Sequence, residues 1–201
     1  TNTPNLQHKG YALPGFQNAH SHAFQYAMAG LTENHSESRS SNFWTWRNEM
    51  YNLALNIDPD SLQVIATMLY SEMLKNGYTS VAEFHYLHHD KNGSKYSNLC
   101  ELGERLLIAA KEVGINITIV PIFYNKGGFQ KKYEAEQKRF ICHNSEEYIH
   151  LFEKTLETAE KYQSNVGIGV HSIRAVDRKM MREINMYNKD KYPFHLHIAE
   201  Q

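Results

Sequence analysis

Apolar segments alternate with amphipathic helices along most of this chain. Five apolar segments predict strands, at residues 13–19, 79–86, 115–124, 166–171 and 194–199. Strands that alternate with helices favour a parallel sheet joined by right-handed crossovers. The sequence therefore predicts an α/β fold.

The helices between these strands carry recognisable start and stop signals. The start signals are Asp58 with Pro59, Asn98, Ser145 with its two following acids, and Asp177. Gly77 and Gly114 are the matching stop signals. An earlier helix is predicted around Trp46, Met50 and Leu53, whose helical spacing favours a face turned to the core. The alternative is that the aromatic residues beside Arg47 line a ligand pocket.

Polar residues gather where each predicted strand ends. They are His20 and His22, His85 and Tyr86, Tyr124, His171 and Arg174, and His197 and Glu200. A (β/α)8 barrel collects its active site at these carboxyl ends. An open doubly wound sheet does so too, but a glycine-rich phosphate loop would be expected after its first strand, and none is present.

The strand count falls short of a closed barrel. Five strands predict a partial (β/α)8 TIM-type barrel, the first five β/α units, without strands six to eight. Residues 1–12 are interpreted as a lead-in and residues 13–201 as an incomplete barrel domain. A five-stranded open α/β domain, complete in itself, is the alternative.

Composition narrows the class of partner. The net charge of -1 over 201 residues gives no strong field for nucleic acid or an anionic membrane. Two cysteines form no close-spaced pair, which favours a reduced, cytoplasmic setting. The N-terminus lacks the apolar core of a signal peptide, and no apolar run is long enough to span a bilayer. The composition therefore gives no reason to expect a nucleic-acid or membrane partner.

The His20-x-His22 pair is the first candidate metal site. On an extended strand, alternate side chains point to the same side, so both imidazoles could bind one ion. His197 at the end of the fifth strand would supply a third nitrogen, as catalytic zinc sites require. Glu200, three residues later, is placed to move a proton between metal-bound water and a leaving group.

Longer stretches of the chain resemble a known family. These are residues 20–25 (HSHAFQ), 43–47 (FWTWR), 77–89 (GYTSVAEFHYLHH), 171–176 (HSIRAV) and 195–201 (HLHIAEQ). They are similar to the amidohydrolase superfamily on its deaminase side, and in particular to the formimidoylglutamate deiminases of histidine breakdown. The resemblance runs over nearly the whole chain.

The resemblance implies a function and a set of roles. The reaction would convert N-formimino-L-glutamate and water to N-formyl-L-glutamate and ammonia, with one zinc ion. The implied zinc ligands are His20, His22 and His197, the implied proton-transfer group is Glu200, and the implied substrate-pocket residues are Gln25, Arg47, Tyr86, His171 and Arg174. It also implies a homodimeric full-length parent.

The chain departs from the family pattern at its end. The pattern continues with a histidine after strand six, an aspartate after strand eight and a small β-sandwich domain. Catalysis by these residues alone is therefore not expected.

The residues leave three functions open. Arg47 and Arg174 suit the two carboxylates of N-formimino-L-glutamate, because guanidinium groups bind carboxylates in a bidentate manner. A related deaminase acting on a guanine, cytosine or triazine ring would instead favour aromatic stacking. A truncated, non-catalytic metal-binding segment is the third possibility.

Overall fold

The structure is a computed structural model that describes residues 9–31 and 43–198, with the backbone alone at residues 43–45. The described strands are β1 Phe16–Ser21, β2 Tyr78–His85, β3 Asn116–Phe123, β4 Asn165–Val166, β5 Ile168–Ser172 and β6 Phe194–His197. Every pairing is parallel, in the order β1-β2-β3-β5-β6, and β4 pairs with β3 beside β5.

Helices connect these strands at the predicted places. The helices are α1 Phe43–Asn56, α2 Pro59–Lys75, α3 Glu101–Val113, α4 Ser145–Lys161 and α5 Arg178–Asn188, with short 3-10 helices at Ala23–Met28 and Ala135–Gln137. The predicted caps Asp58 and Asp177 are confirmed, since each side chain accepts a backbone N–H from the first turn of its helix. Gly114 ends α3 at a φ of 86°, which favours glycine.

The sheet is curled rather than flat. β1 and β6 are its outermost strands, yet the Nε2 atoms of His20 and His197 lie 3.0 Å apart. In a flat sheet four strand spacings would separate them by about 19 Å. The predicted partial barrel is therefore confirmed as a half-barrel with its helices outside.

The core lies between the strands and the helices that cover their outer faces. Leu62 and Ala66 of α2 and Leu106 of α3 are fully buried, as are Ile117 and Ile119 of β3. Burial of each leucine or isoleucine side chain stabilises the folded state by roughly 1.5 to 3 kcal/mol. This core holds the carboxyl ends of the strands in fixed positions. No described helix is long and apolar enough to cross a membrane.

Two predicted boundaries differ from the structure for local reasons. β1 begins at Phe16, because Pro14 has no N–H to donate and the first ladder bond is made by Phe16 N–H to the Gly77 carbonyl, at 2.8 Å. The predicted fourth strand divides into β4 and β5 at Gly167. A Cβ at Gly169 would lie 2.6 Å from the Ile122 side chain, so only glycine allows this close approach of β3 and β5.

Helix starts shift by one to three residues. α3 begins at Glu101 rather than Asn98, because the Asn98 side chain instead accepts the Cys100 N–H in the preceding turn, at 3.1 Å. α4 is capped by Asn144, whose side chain accepts the Glu147 N–H at 2.8 Å, and Ser145 is the first residue inside the helix.

Candidate metal centre and cavity

Three histidines meet at the carboxyl edge of the half-barrel. His20 Nε2 lies 3.0 Å from His22 Nε2 and 3.0 Å from His197 Nε2. One ligand nitrogen from each histidine lies within 4.8 Å of the other two. The structure therefore brings together the three predicted metal ligands from both edges of the sheet.

Their protonation suits metal binding. His22 Nδ1 lies 3.0 Å from the Phe84 carbonyl, which requires the proton on Nδ1 and leaves the Nε2 lone pair toward the cluster. Burial lowers the pKa of His22 to about 3 despite this hydrogen bond, and His20 and His197 lower it further. Burial, with His197 and His195, also lowers the pKa of His20. The imidazoles of His20 and His22 are therefore neutral at pH 7, the form that binds metals.

The geometry of the cluster fits a divalent ion. Tetrahedral zinc with bonds of about 2.0 Å to nitrogen places its ligand nitrogens roughly 3.3 Å apart. The two 3.0 Å separations around His20 are close to that value. Three imidazole nitrogens leave an open coordination position, which is the arrangement of catalytic zinc sites.

The Phe84 ring contacts all three histidines. The Phe84 ring centroid lies 5.0 Å from that of His20, 5.2 Å from that of His22 and 4.4 Å from that of His197. Phe84 is only 1% exposed, so one buried ring contacts all three imidazoles and restricts their movement.

A cavity of about 230 Å³ opens beside the cluster. Its lining includes all five predicted substrate residues, Gln25, Arg47, Tyr86, His171 and Arg174. The Gln25 side-chain amide donates to the Tyr86 hydroxyl at 2.8 Å, which orients both groups. The structure thus places these five residues in one cavity with His22 and His197, while Glu200 lies outside the described residues.

Two guanidinium groups reach the same cavity from different elements. Arg47 on α1 donates through Nε to the Tyr51 hydroxyl at 2.9 Å and pairs with Glu134 at 2.8 Å. Arg174 follows β5. Burial raises the pKa of the Tyr124 hydroxyl, and both arginines oppose that rise, so the two cations act on one phenol. Two cationic side chains therefore line the cavity that His22 and His197 also line.

His171 is held as a neutral, oriented ring. It stacks on Tyr124 with centroids 4.3 Å apart and 13° between the planes. Its Nδ1 lies 3.1 Å from the Ser172 hydroxyl. Burial, together with His197 and Arg174, lowers its pKa well below the usual value. A neutral imidazole at this place can donate or accept a hydrogen bond from a bound molecule.

Several cavity residues are not among the predicted ones. Trp46, predicted to face the core, is instead 37% exposed and lines the cavity, because the face of α1 that carries Trp46 and Met50 is turned to the cavity. Tyr51, Tyr124 and Phe140 line it as well. Tyr124 directly follows β3; it is one of the polar strand-end residues identified in the sequence, although it was not among the implied substrate residues.

One strand-end histidine lies elsewhere. His85, the last residue of β2, is buried on the helix side, with its ring 3.7 Å from where a Cβ at Gly103 would be. Its neighbour Tyr86 takes the place in the cavity. Of this pair only Tyr86 belongs to the site.

Comparison with known proteins assigns the chain to a family. A sequence profile described as the amidohydrolase family matches residues 11–201. The chain belongs to the amidohydrolase family. It is 43% identical over 192 residues to formimidoylglutamate deiminase of Pseudomonas aeruginosa, an alignment that covers 96% of this chain and 42% of that protein. The resemblance indicated by the sequence motifs is thereby confirmed.

Solved structures of amidohydrolase-like proteins share the fold. An amidohydrolase from Brucella melitensis matches with a TM-score of 0.87 at 41% identity, over 94% of this chain and 42% of that one. Atrazine chlorohydrolase from Arthrobacter aurescens, complexed with zinc, matches with a TM-score of 0.68 at 17% identity, over 94% and 41%. The chain thus spans less than half the length of the relatives it matches.

Proposed function

We propose that the protein carrying this chain is a zinc-dependent hydrolase that converts N-formimino-L-glutamate and water to N-formyl-L-glutamate and ammonia, in histidine degradation. One observation carries the proposal: Arg47 and Arg174 share a cavity with His22 and His197 of the three-histidine cluster. A dicarboxylate held by two arginines would present its amidine carbon toward the histidines. Similarity to a formimidoylglutamate deiminase supports this substrate.

The roles follow from the chemistry of the side chains. His20, His22 and His197 would hold the zinc, which lowers the pKa of a coordinated water to about 7. During the reaction a C–O bond forms at the amidine carbon and the C–N bond to the leaving nitrogen breaks. Glu200 would take up the two protons of the attacking water in turn and deliver them to the leaving nitrogen, which departs as ammonia.

The substrate groups would be oriented by the cavity wall. Arg47 and Arg174 would each bind one carboxylate, and Gln25, Tyr86 and His171 would contact the polar atoms between them. We also propose that the enzyme is cytoplasmic and homodimeric, and that it has no nucleic-acid or membrane partner.

Ammonia release tests the substrate. The full-length protein that carries this chain should release ammonia from N-formimino-L-glutamate and not from guanine or cytosine. Removal of zinc by a chelator should abolish the release, and added zinc should restore it. No ammonia from the formimino compound would contradict the proposal.

Arginine variants test how the substrate is bound. Arg47→Gln and Arg174→Gln should each raise KM by about 10- to 100-fold, since a hydrogen-bonded charge contributes roughly 1.5 to 3 kcal/mol. Arg105→Gln is the control, because Arg105 pairs with Glu101 and Asp60 on the outer surface. An unchanged KM in both cavity variants would argue against carboxylate binding there.

A ring substrate is the second candidate. The observation that favours it is the aromatic lining of the cavity, by Trp46, Tyr51, Tyr86, Tyr124 and Phe140, which could stack a heterocycle. Ammonia release from guanine or cytosine, unaffected by Arg47→Gln, would replace the first proposal with this one.

A further inference from the structure

Glu83 is a buried carboxyl group in an otherwise apolar part of β2. It is 1% exposed and lies between Ala82 and the fully buried Phe84. It does not line the cavity, so it has no contact with a bound substrate. A carboxyl group buried away from the chemistry needs hydrogen-bond partners to offset its desolvation.

Its partners lie on both sides of His22. The carboxylate accepts the Ala23 N–H at 2.6 Å through Oε1 and the Tyr70 hydroxyl at 3.1 Å through Oε2. The Ser21 hydroxyl is a further hydrogen-bond partner. Glu83 therefore fixes the residue before His22 and the residue after it, and α2 fixes Glu83 through Tyr70.

This restraint falls where β1 is irregular. The pairing of β1 with β2 advances from Asn18 opposite Val81 to Ser21 opposite Glu83, which inserts one extra residue into β1. Such a bulge re-aims the side chains around it and interrupts the ladder bonds. His20 lies within the bulge, and His22 lies just past the last residue of the strand. The two metal ligands therefore stand on backbone that the ladder does not fix.

We propose that Glu83 is the positioning residue of the metal centre: by holding Ser21 and Ala23 it fixes the bulged His20–Ser21–His22 segment in the geometry that binds the ion. This inference rests on the metal centre of the proposed function. Hydrogen-bonded partners behind metal ligands typically account for 10- to 100-fold in metal affinity.

Zinc affinity, measured by competition with a chromophoric chelator at pH 7.5, tests the inference without using enzyme activity. In the zinc-free full-length protein, Glu83→Ala should weaken zinc binding by about 10- to 100-fold. Glu83→Gln should keep most of the affinity, because the amide oxygen still accepts the Ala23 N–H. Tyr70→Phe removes the hydrogen bond to Glu83 and keeps the shape of the side chain, so it should weaken zinc binding several-fold.

A matched tyrosine separates positioning from general destabilisation. Tyr148 is also fully buried, and its hydroxyl donates to the Pro121 carbonyl of β3 at 2.9 Å and accepts the Gly169 N–H of β5 at 3.1 Å, so it contacts neither β1 nor β2 through these bonds. Tyr148→Phe should lower the unfolding temperature without changing zinc affinity. If Tyr70→Phe and Glu83→Ala bind zinc as tightly as wild type, the inference is wrong and the metal centre stands. If the wild-type protein binds no zinc, both this inference and the proposed metal centre are wrong.

Discussion

The substitution Glu83→Gln should change how the free energy of unfolding depends on pH. Burial raises the pKa of the Glu83 carboxyl group from 4.5 to about 7, although hydrogen bonds from Ala23, Ser21 and Tyr70 lower it. The folded protein thus holds this proton at pH values where the unfolded chain has released it. Glutamine keeps the shape and cannot titrate.

The sign follows from proton linkage. Because the folded pKa lies above the unfolded one, the stability contributed by protonated Glu83 is fully present below pH 4.5 and is lost as the pH rises through about 7. The interval between the two pKa values corresponds to roughly 3 kcal/mol at 1.36 kcal/mol per pH unit. The free energy of unfolding of wild type, minus that of Glu83→Gln, should therefore fall by about that amount across this range.

Urea unfolding of the zinc-free protein at a series of pH values measures this difference in the free energy of unfolding. The contributions of histidine titration are the same in wild type and Glu83→Gln, so they cancel in the difference. Glu147→Gln is the control with the opposite sign. Burial raises the pKa of Glu147, but the Lys95 ammonium at 2.6 Å and the His143 N–H lower it more, so the net shift is downward. Its difference curve should rise with pH. A Glu83→Gln curve that is flat, or that rises with pH, would refute the reasoning.

Three further changes test other parts of the structure. Asp58→Ala should cost about 1 kcal/mol in urea unfolding, because it removes the N-cap of α2. Arg139→Met should cost roughly 3 kcal/mol and lower Tm by about 6 to 12 °C, because the buried guanidinium donates to the carbonyls of Ala54, Ile57 and His89. Burial lowers the pKa of His88 to about 3. The unfolded chain therefore takes up that proton first as the pH falls below 6.5, and His88→Gln should recover roughly 2 kcal/mol of the stability that wild type loses between pH 6.5 and 5.

The fold was predictable because its signals are local and repeated. The cap at Asp58, the stop at Gly114 and the alternation of strands and helices each act within a few residues. Parallel connectivity then places all carboxyl ends at one edge without knowledge of any contact. This rule places His20 and His197, 177 positions apart, at the same edge of the sheet, and the curl expected of a barrel then brings them together.

Other parts of the site depend on contacts that periodicity does not encode. Trp46 has the spacing of a core residue, and only the three-dimensional placement of α1 makes it part of the cavity wall. Glu83 shares its strand with apolar residues, and a lone carboxylate there was the available signal. Its partners Tyr70 and Ala23 come from two other elements, so its role becomes visible only in three dimensions.

The two histidines of the His20-x-His22 pair converge for a reason other than strand alternation alone. Strand alternation places His20 and His22 on one side, yet β1 is bulged between Asn18 and Ser21, and His22 has left the strand with φ −128° and ψ 82°. The two nitrogens still converge because His22 Nδ1 is anchored to the Phe84 carbonyl and the adjoining backbone is held by Glu83. The ligand geometry of β1 is therefore imposed by β2. Substitutions in β2 that leave every histidine in place should change metal affinity as strongly as changes beside the histidines.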